Sequence, residues 1–273
     1  MDSHDWSCVL YLPQPFHLSY ERGKEYLQRD FMNHLPDQLS LNIQLDDSIS
    51  LDKFILCESN EDSLNFIRAS LKQDSVSNLF YLWGSEGVGK SYLMKAINKE
   101  YVSLGKKVFH LSLDDPRVTS HEILQNLDSM DVVLIERIDC LAKEEVWETQ
   151  MFSLVNSALK GETKVYFSSS IVAKDLKIEL RDLMSRLSYF TAIEIPEITQ
   201  EEKEQAISQS SLRRGISLDK QTVLYILNHS SRSLSDLLRL LEDLDNYSLK
   251  RKRKITKSLI SEMLKEQSGN LRK

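Results

Sequence analysis

The residues G-S-E-G-V-G-K-S, 84–91, satisfy the pattern G-x-x-x-x-G-K-[ST]. Glycines at this spacing let the backbone bend around an anion so that several N–H groups point inward. A helix opening at the turn adds the positive end of its dipole. In such a loop Lys90 reaches the terminal phosphates of a nucleotide and the Ser91 hydroxyl ligates Mg²⁺. The stretch V-V-L-I-E-R-I-D, 132–139, carries the second piece of chemistry. Its apolar run ends in Glu136, a carboxylate that can hold the Mg²⁺ through water. Nucleotide-binding candidates are therefore Gly84, Gly87, Val88, Gly89, Lys90, Ser91 and Glu136, with Ser91 and Glu136 serving the metal. The next residue, Arg137, stands where a water-orienting acid is expected. A guanidinium cannot accept the proton of an attacking water, so self-catalysed hydrolysis should be slow. The expected ligand is ADP or ATP with Mg²⁺.

These residues need a sheet to hold them, and the flanking pattern supplies one. A helical stretch from Glu61 to Leu71 precedes the apolar strand L-F-Y-L-W, 79–83. The glycine turn opens a helix to about Leu104, followed by a strand at 107–112 and a short helix near 120–127. A strand at 131–136, a long helix from Glu144 to Leu159, a strand at 164–169 and a last one near 189–195 complete the set. Alternating strands and helices predict an α/β fold with a parallel sheet covered on both faces. After Pro196 four helical segments follow, near 199–212, 219–228, 232–248 and 256–265. The expected organisation is an irregular arm at 1–37, a sheet domain at 50–196, a helical lid at 197–265 and a tail at 266–273.

Composition fits this reading. A chain of 273 residues, 41% apolar and 28% charged, can bury a full core. The net charge of -6 argues against coating nucleic acid over a whole face. The basic run K-R-K-R-K, 250–254, is either a solvated loop or a DNA contact. Cys8, Cys57 and Cys140 lack ligand spacing and read as reduced thiols. No apolar run approaches the ~20 residues of a membrane span, and no secretory leader is evident. A cytoplasmic protein is expected.

The order of the phosphate loop, V-V-L-I-E-R-I-D-C-L, Y-F-S-S-S, L-M-S-R-L and four helices resembles an AAA+ ATPase domain of the DnaA group. L-D-K-F-I-L-C-E-S-N, 51–60, is similar to the segment that leads into that domain, and the resemblance covers roughly 45–265. It is closest to the Hda family, the regulatory inactivators of DnaA. That resemblance implies a AAA+ P-loop fold followed by a small all-α lid. It also implies a peptide that binds the DNA polymerase III sliding clamp (β subunit), which Q-L-S-L-N-I, 38–43, would supply through Gln38, Leu39 and Leu41. The alternative for this peptide is an edge strand or an apolar-anchored loop. M-N-H-L-P, starting at Met32, resembles the family's N-terminus, so 1–31 is either an artefact of gene calling or an extension. The DNA-binding helix-turn-helix domain of DnaA is not expected here.

Carried over residue by residue, L-M-S-R-L puts Arg186 at the arginine finger, which acts on a nucleotide held by a neighbouring subunit. The sensor position falls on Ser168, Ser169 and Ser170, with Ser169 and Ser170 the candidates, where the initiators carry an acid. The lid's sensor arginine aligns with Ser235, and Arg232 lies three residues earlier. Arg137, Ser170 and Ser235 all weaken hydrolysis or sensing of the terminal phosphate. The implied function is negative regulation of replication initiation. The protein would bind the clamp, promote hydrolysis of ATP held by DnaA, and itself associate with DnaA, the clamp, DNA through 250–254, or its own copies. The alternatives are an autonomous AAA+ ATPase similar to the helicase loader DnaC, and a DNA-binding initiator cofactor.

Overall fold

The computed structural model describes residues 49–72, 77–141, 144–229 and 233–270. Gln38, Leu39, Leu41, the arm and Arg232 lie outside the described residues. Five parallel strands form one sheet: β1 (Leu79–Trp83), β2 (Val108–Ser112), β3 (Val132–Glu136), β4 (Lys164–Ser169) and β5 (Thr191–Glu194). Their order is β2-β3-β4-β1-β5. All of β3 and β4 is buried, as expected for continuous apolar runs in a sheet covered on both sides.

Period-2 alternation divides the strand residues between two faces. Tyr81, Val133, Ile135, Val165 and Phe167 pack with Met151, Leu154 and Val155 of α3 (Glu145–Lys160). Leu82, Leu134 and Tyr166 pack with Leu64 and Ile67 of α1 (Glu61–Ser70) and with Leu93, Met94 and Ile97 of α2 (Lys90–Ser103). The short α4 (Arg181–Leu187) lies against α3. Beyond β5 the described chain is helical: α5 (Gln200–Arg213), α6 (Lys220–His229), α7 (Leu234–Arg251) and α8 (Lys257–Asn270). These helices share their own core of Ile207, Val223, Ile226, Leu237, Leu244 and Ile260. The expected fold, a sheet between helices followed by an all-α lid, is the one observed.

Two local expectations need correction. The stretch near 120–127 is not an α-helix but two 3₁₀ turns, His121–Leu124 and Leu127–Ser129. Gln125 is extended and Asn126 left-handed (φ 59°), so the ladder breaks while Leu124 and Leu127 stay buried. The last strand is also shorter than expected. Tyr189 and Phe190 donate to Arg186 and Leu187 carbonyls in the turn that ends α4, which leaves pairing to begin at Thr191.

A buried carboxylate fixes where α4 begins. Glu148 on α3 is 1% exposed, and its two oxygens accept the N–H groups of Glu179 (3.1 Å to each) and Leu180 (2.7 Å). Leu180 is the N-cap residue of α4, so a side chain from another helix performs the capping. Glu148→Ala would remove the acceptor from these part-buried donors and empty a buried position, at a cost of about 2 kcal/mol. Glu148→Gln, which keeps one acceptor, should cost about half as much. Urea-unfolding midpoints should rank wild type above the Gln variant and that above the Ala variant. Equal midpoints would show that the cap contributes nothing.

Candidate nucleotide-binding site

The glycine loop bends back over the C-terminal end of β1. A Cβ at Gly84 would collide with the Ile195 carbonyl oxygen. Gly87 has φ 80°, and a Cβ there would stand 2.5 Å from the Ser233 Cβ. Lys90 is buried in the first turn of α2, and its ammonium donates to the carbonyls of Gly84 (2.6 Å) and Ser85 (2.8 Å). Burial pushes Lys90 below the ordinary lysine value. Asp139 opposes that shift and Arg137 reinforces it. Ser91 is exposed on the same turn.

Glu136 is 4% exposed at the end of β3. His110 Nε2 on the neighbouring β2 lies 2.8 Å from its Oε1, and Asn98 Nδ2 on α2 lies 3.4 Å from His110 Nδ1. With Asn98 donating to Nδ1, the imidazole carries its proton on Nε2 and donates it to Glu136. The carboxylate is thus oriented by a relay that the sequence pattern did not single out. The available signal was a histidine inside the apolar strand K-V-F-H-L-S. Among the described residues no cluster of three acidic, histidine or cysteine ligands could hold a metal. Mg²⁺ takes most of its ligands from phosphates and water, so the oriented Glu136 carboxylate and the exposed Ser91 hydroxyl are chemically suited to it.

Arg137 follows with a left-handed backbone (φ 60°), and its N–H faces Ser168 Oγ at 3.4 Å. Three carboxylates surround the guanidinium: Glu86 of the glycine loop at 3.4 Å, Asp139 at 3.6 Å and Asp114 at 3.9 Å. Ser170 holds Asp139 in place, donating from Oγ at 2.7 Å and from its N–H at 3.3 Å. Ser169 is fully buried, and its Oγ accepts the Ile171 N–H at 3.2 Å. Tyr81 donates its hydroxyl to the Ile171 carbonyl (2.7 Å), and burial pushes the phenol up to about 12. Both candidate sensor serines therefore hold the protein's own turn together.

The lid meets the loop at the start of α7. Ser235 Oγ donates to the Gly87 carbonyl at 3.2 Å. A slot beside the loop is lined by the apolar Phe54, Val88, Pro196, Ile198 and Leu234 and by the polar Asn60, Glu86, Glu197, Lys203 and Ser233, a mixed setting. Asn60 shapes it by accepting the Cys57 N–H (2.9 Å) and donating to the Ile55 carbonyl (3.0 Å).

The structure does not bring Arg186 to this loop. It sits half-buried on α4, anchored by the buried Leu183 and Leu187, with its guanidinium 5.9 Å from the Tyr189 ring centroid. In the basic run, Arg251 pairs with Glu266 (2.8 Å) and Arg253 with Glu262 (3.0 Å), so two of its cations already serve the α7–α8 hairpin. No helix among the described residues is long and apolar enough to cross a membrane.

Glu202 ties lid to sheet domain. It accepts from Ser59 N–H and Oγ (3.0 Å each) and from Thr199 N–H (2.7 Å), completing a capping box on α5. The Ser59 and Thr199 amides hold its carboxyl below the ordinary glutamate value of 4.5. A depressed folded-state pKa stabilises above the unfolded value, and that contribution is lost as pH falls through the folded value. Glu202→Gln should therefore lower the melting temperature near neutral pH, and the gap to wild type should close below about pH 4. A gap constant with pH in thermal melts would contradict this.

Residues 45–194 match the bacterial DnaA ATPase domain, and residues 200–264 match the lid domain of Hda. Among solved structures, AMPPCP-bound DnaA from Aquifex aeolicus superposes with a TM-score of 0.64 at 22% identity, covering 74% of this chain and 66% of that one. Domain III of DnaA from Thermotoga maritima gives a TM-score of 0.69 at 15% identity, covering 81% of this chain and 97% of that one. The Thermotoga maritima RuvB branch migration motor gives 0.60 at 20% identity, covering 79% and 71%. This chain thus spans just under two thirds of the length of the Aquifex protein. The chain belongs to the bacterial DnaA ATPase-domain family, as a DnaA-related AAA+ protein whose lid is of the Hda type.

Proposed function

We propose that this protein is a negative regulator of replication initiation that holds its own adenine nucleotide with little turnover and acts on the nucleotide of DnaA. The observation that carries the reading is Arg186. Its guanidinium lies against the Tyr189 ring on a short helix whose start is held by the buried Glu148. Placed against ATP held by DnaA, Arg186 stabilises the negative charge that develops on the transferred phosphoryl group. The residue after Glu136 is a cation and supplies no proton acceptor for an attacking water in the protein's own pocket. There Lys90 and the loop amides neutralise phosphate, and the slot beside the loop takes the base between its apolar walls of Phe54, Val88 and Ile198. Ser91 and Glu136 would hold Mg²⁺, which supplies charge neutralisation of the phosphates when bound.

Gln38, Leu39 and Leu41 are proposed to tether the protein to the sliding clamp as an extended peptide, which brings Arg186 to DnaA only where replication is under way. The test is hydrolysis of DnaA-bound ATP in the presence of clamp loaded on DNA. Addition of this protein should accelerate hydrolysis, and Arg186→Ala should remove about 10³-fold of that acceleration while nucleotide binding by the variant is unchanged. Gln38→Ala with Leu41→Ala should abolish retention on immobilised clamp. No acceleration by the wild-type protein would defeat the reading. Rapid ATP turnover by this chain alone would instead support an autonomous loader.

A further inference from the structure

The chain leaves α4 through a ladder of tight turns. Ser188, Tyr189 and Phe190 donate their N–H groups to the carbonyls of Ser185 (3.3 Å), Arg186 (3.1 Å) and Leu187 (3.2 Å). Bonds between residues three apart eclipse the side chains of those residues, which sets Tyr189 over Arg186. The Ser188 hydroxyl, donating to the Ser185 carbonyl at 2.6 Å, reinforces the same turn. Phe190 then ties the turn to the sheet. It is 7% exposed and stacks on Phe167 of β4, with ring centroids 4.8 Å apart and planes inclined by 18°. With its neighbour anchored inward, Tyr189 is held outward and is 59% exposed. Its ring adds little to the core, yet the Arg186 guanidinium lies 5.9 Å from its centroid, within reach of a cation–π attraction.

We infer that Tyr189 is the positioning residue of the proposed finger, its ring restraining the Arg186 guanidinium in the orientation offered to a nucleotide on a neighbouring subunit. The inference deepens the reading of Arg186 given above and rests on it. An unrestrained arginine loses much rotamer freedom when a partner docks, and that loss opposes the productive arrangement. Contact with the ring narrows the set of conformers beforehand. A carboxylate in the same place would also restrain the side chain, but it would compete with phosphate for the N–H groups and cancel the charge. An aromatic ring restrains the cation and leaves its charge intact.

The test is hydrolysis of DnaA-bound ATP with clamp loaded on DNA, titrated with the full chain so that the maximal rate and the half-saturating concentration are read separately. Assays run well below the melting midpoint of every variant. Tyr189→Leu, which keeps an apolar side chain and removes the ring, should lower the maximal rate about fivefold and leave half-saturation within about twofold. Tyr189→Phe keeps the ring and should match the wild type. In an Arg186→Ala background, Tyr189→Leu should change nothing further, the mark of a residue that acts through the finger. An unchanged maximal rate in Tyr189→Leu overturns this inference alone, as does a lowered rate in Tyr189→Phe. A rise in half-saturation with the maximal rate intact overturns it too, and would make the ring a docking contact. Absence of acceleration by the wild type overturns the reading of Arg186 and this inference together.

Discussion

Parallel pairing of β4 with β3 on one side and β1 on the other is the constraint on which the site depends. It sets the ends of three strands side by side, with Leu82 opposite Ser168, Trp83 opposite Ser169, and Ile135 opposite Phe167. The glycine loop, the serine turn and Glu136 come from distant parts of the chain, yet each follows one of these adjacent strands. Ligands of open parallel sheets bind beyond the carboxyl ends of the strands for this reason. A register slip of one residue would exchange the two faces of a strand and send Glu136 away from His110.

Charge at that edge is arranged in two groups with different demands. Lys90 is buried and satisfied by loop carbonyls, so its cost of desolvation is met within the loop. Arg137 is partly exposed and surrounded by acids at a distance, where screening keeps each pair weak. One cation is thus fixed and the other adjustable. Glu136 belongs with the fixed set, because the relay from Asn98 through His110 decides which way its carboxylate faces.

Legibility in the sequence followed the range of each interaction. Apolar runs marked all five strands, and the glycine spacing marked the loop, because both signals lie within a few residues. The capping box of Thr199 and Glu202 is equally local, but it was identified in the structure and not from the sequence. The partnership of His110 with Glu136 needed the fact that β2 lies beside β3, and no local pattern carries that. The role of Glu148 depends on α4 beginning against it, a long-range contact with no local signal. The two 3₁₀ turns near 121–129 have helical spacing of apolar residues, and only the backbone at Gln125 and Asn126 separates them from a helix.

The elements that hold the proposed finger and those that hold the nucleotide are joined through rigid parts rather than through a shared ligand. Arg186 is placed by Glu148, α3 and the sheet face opposite α1 and α2, whereas the slot is closed by the lid through Ser235, Ser233 and Glu202. Occupancy of the slot therefore bears first on the lid's attachment to the sheet domain, through contacts at Gly87. The buried core under α4 makes no such contact and keeps its geometry by packing alone. The nucleotide proposed for this loop, held with little turnover, would suit this division, since it would stabilise the lid without cycling the helix that carries Arg186.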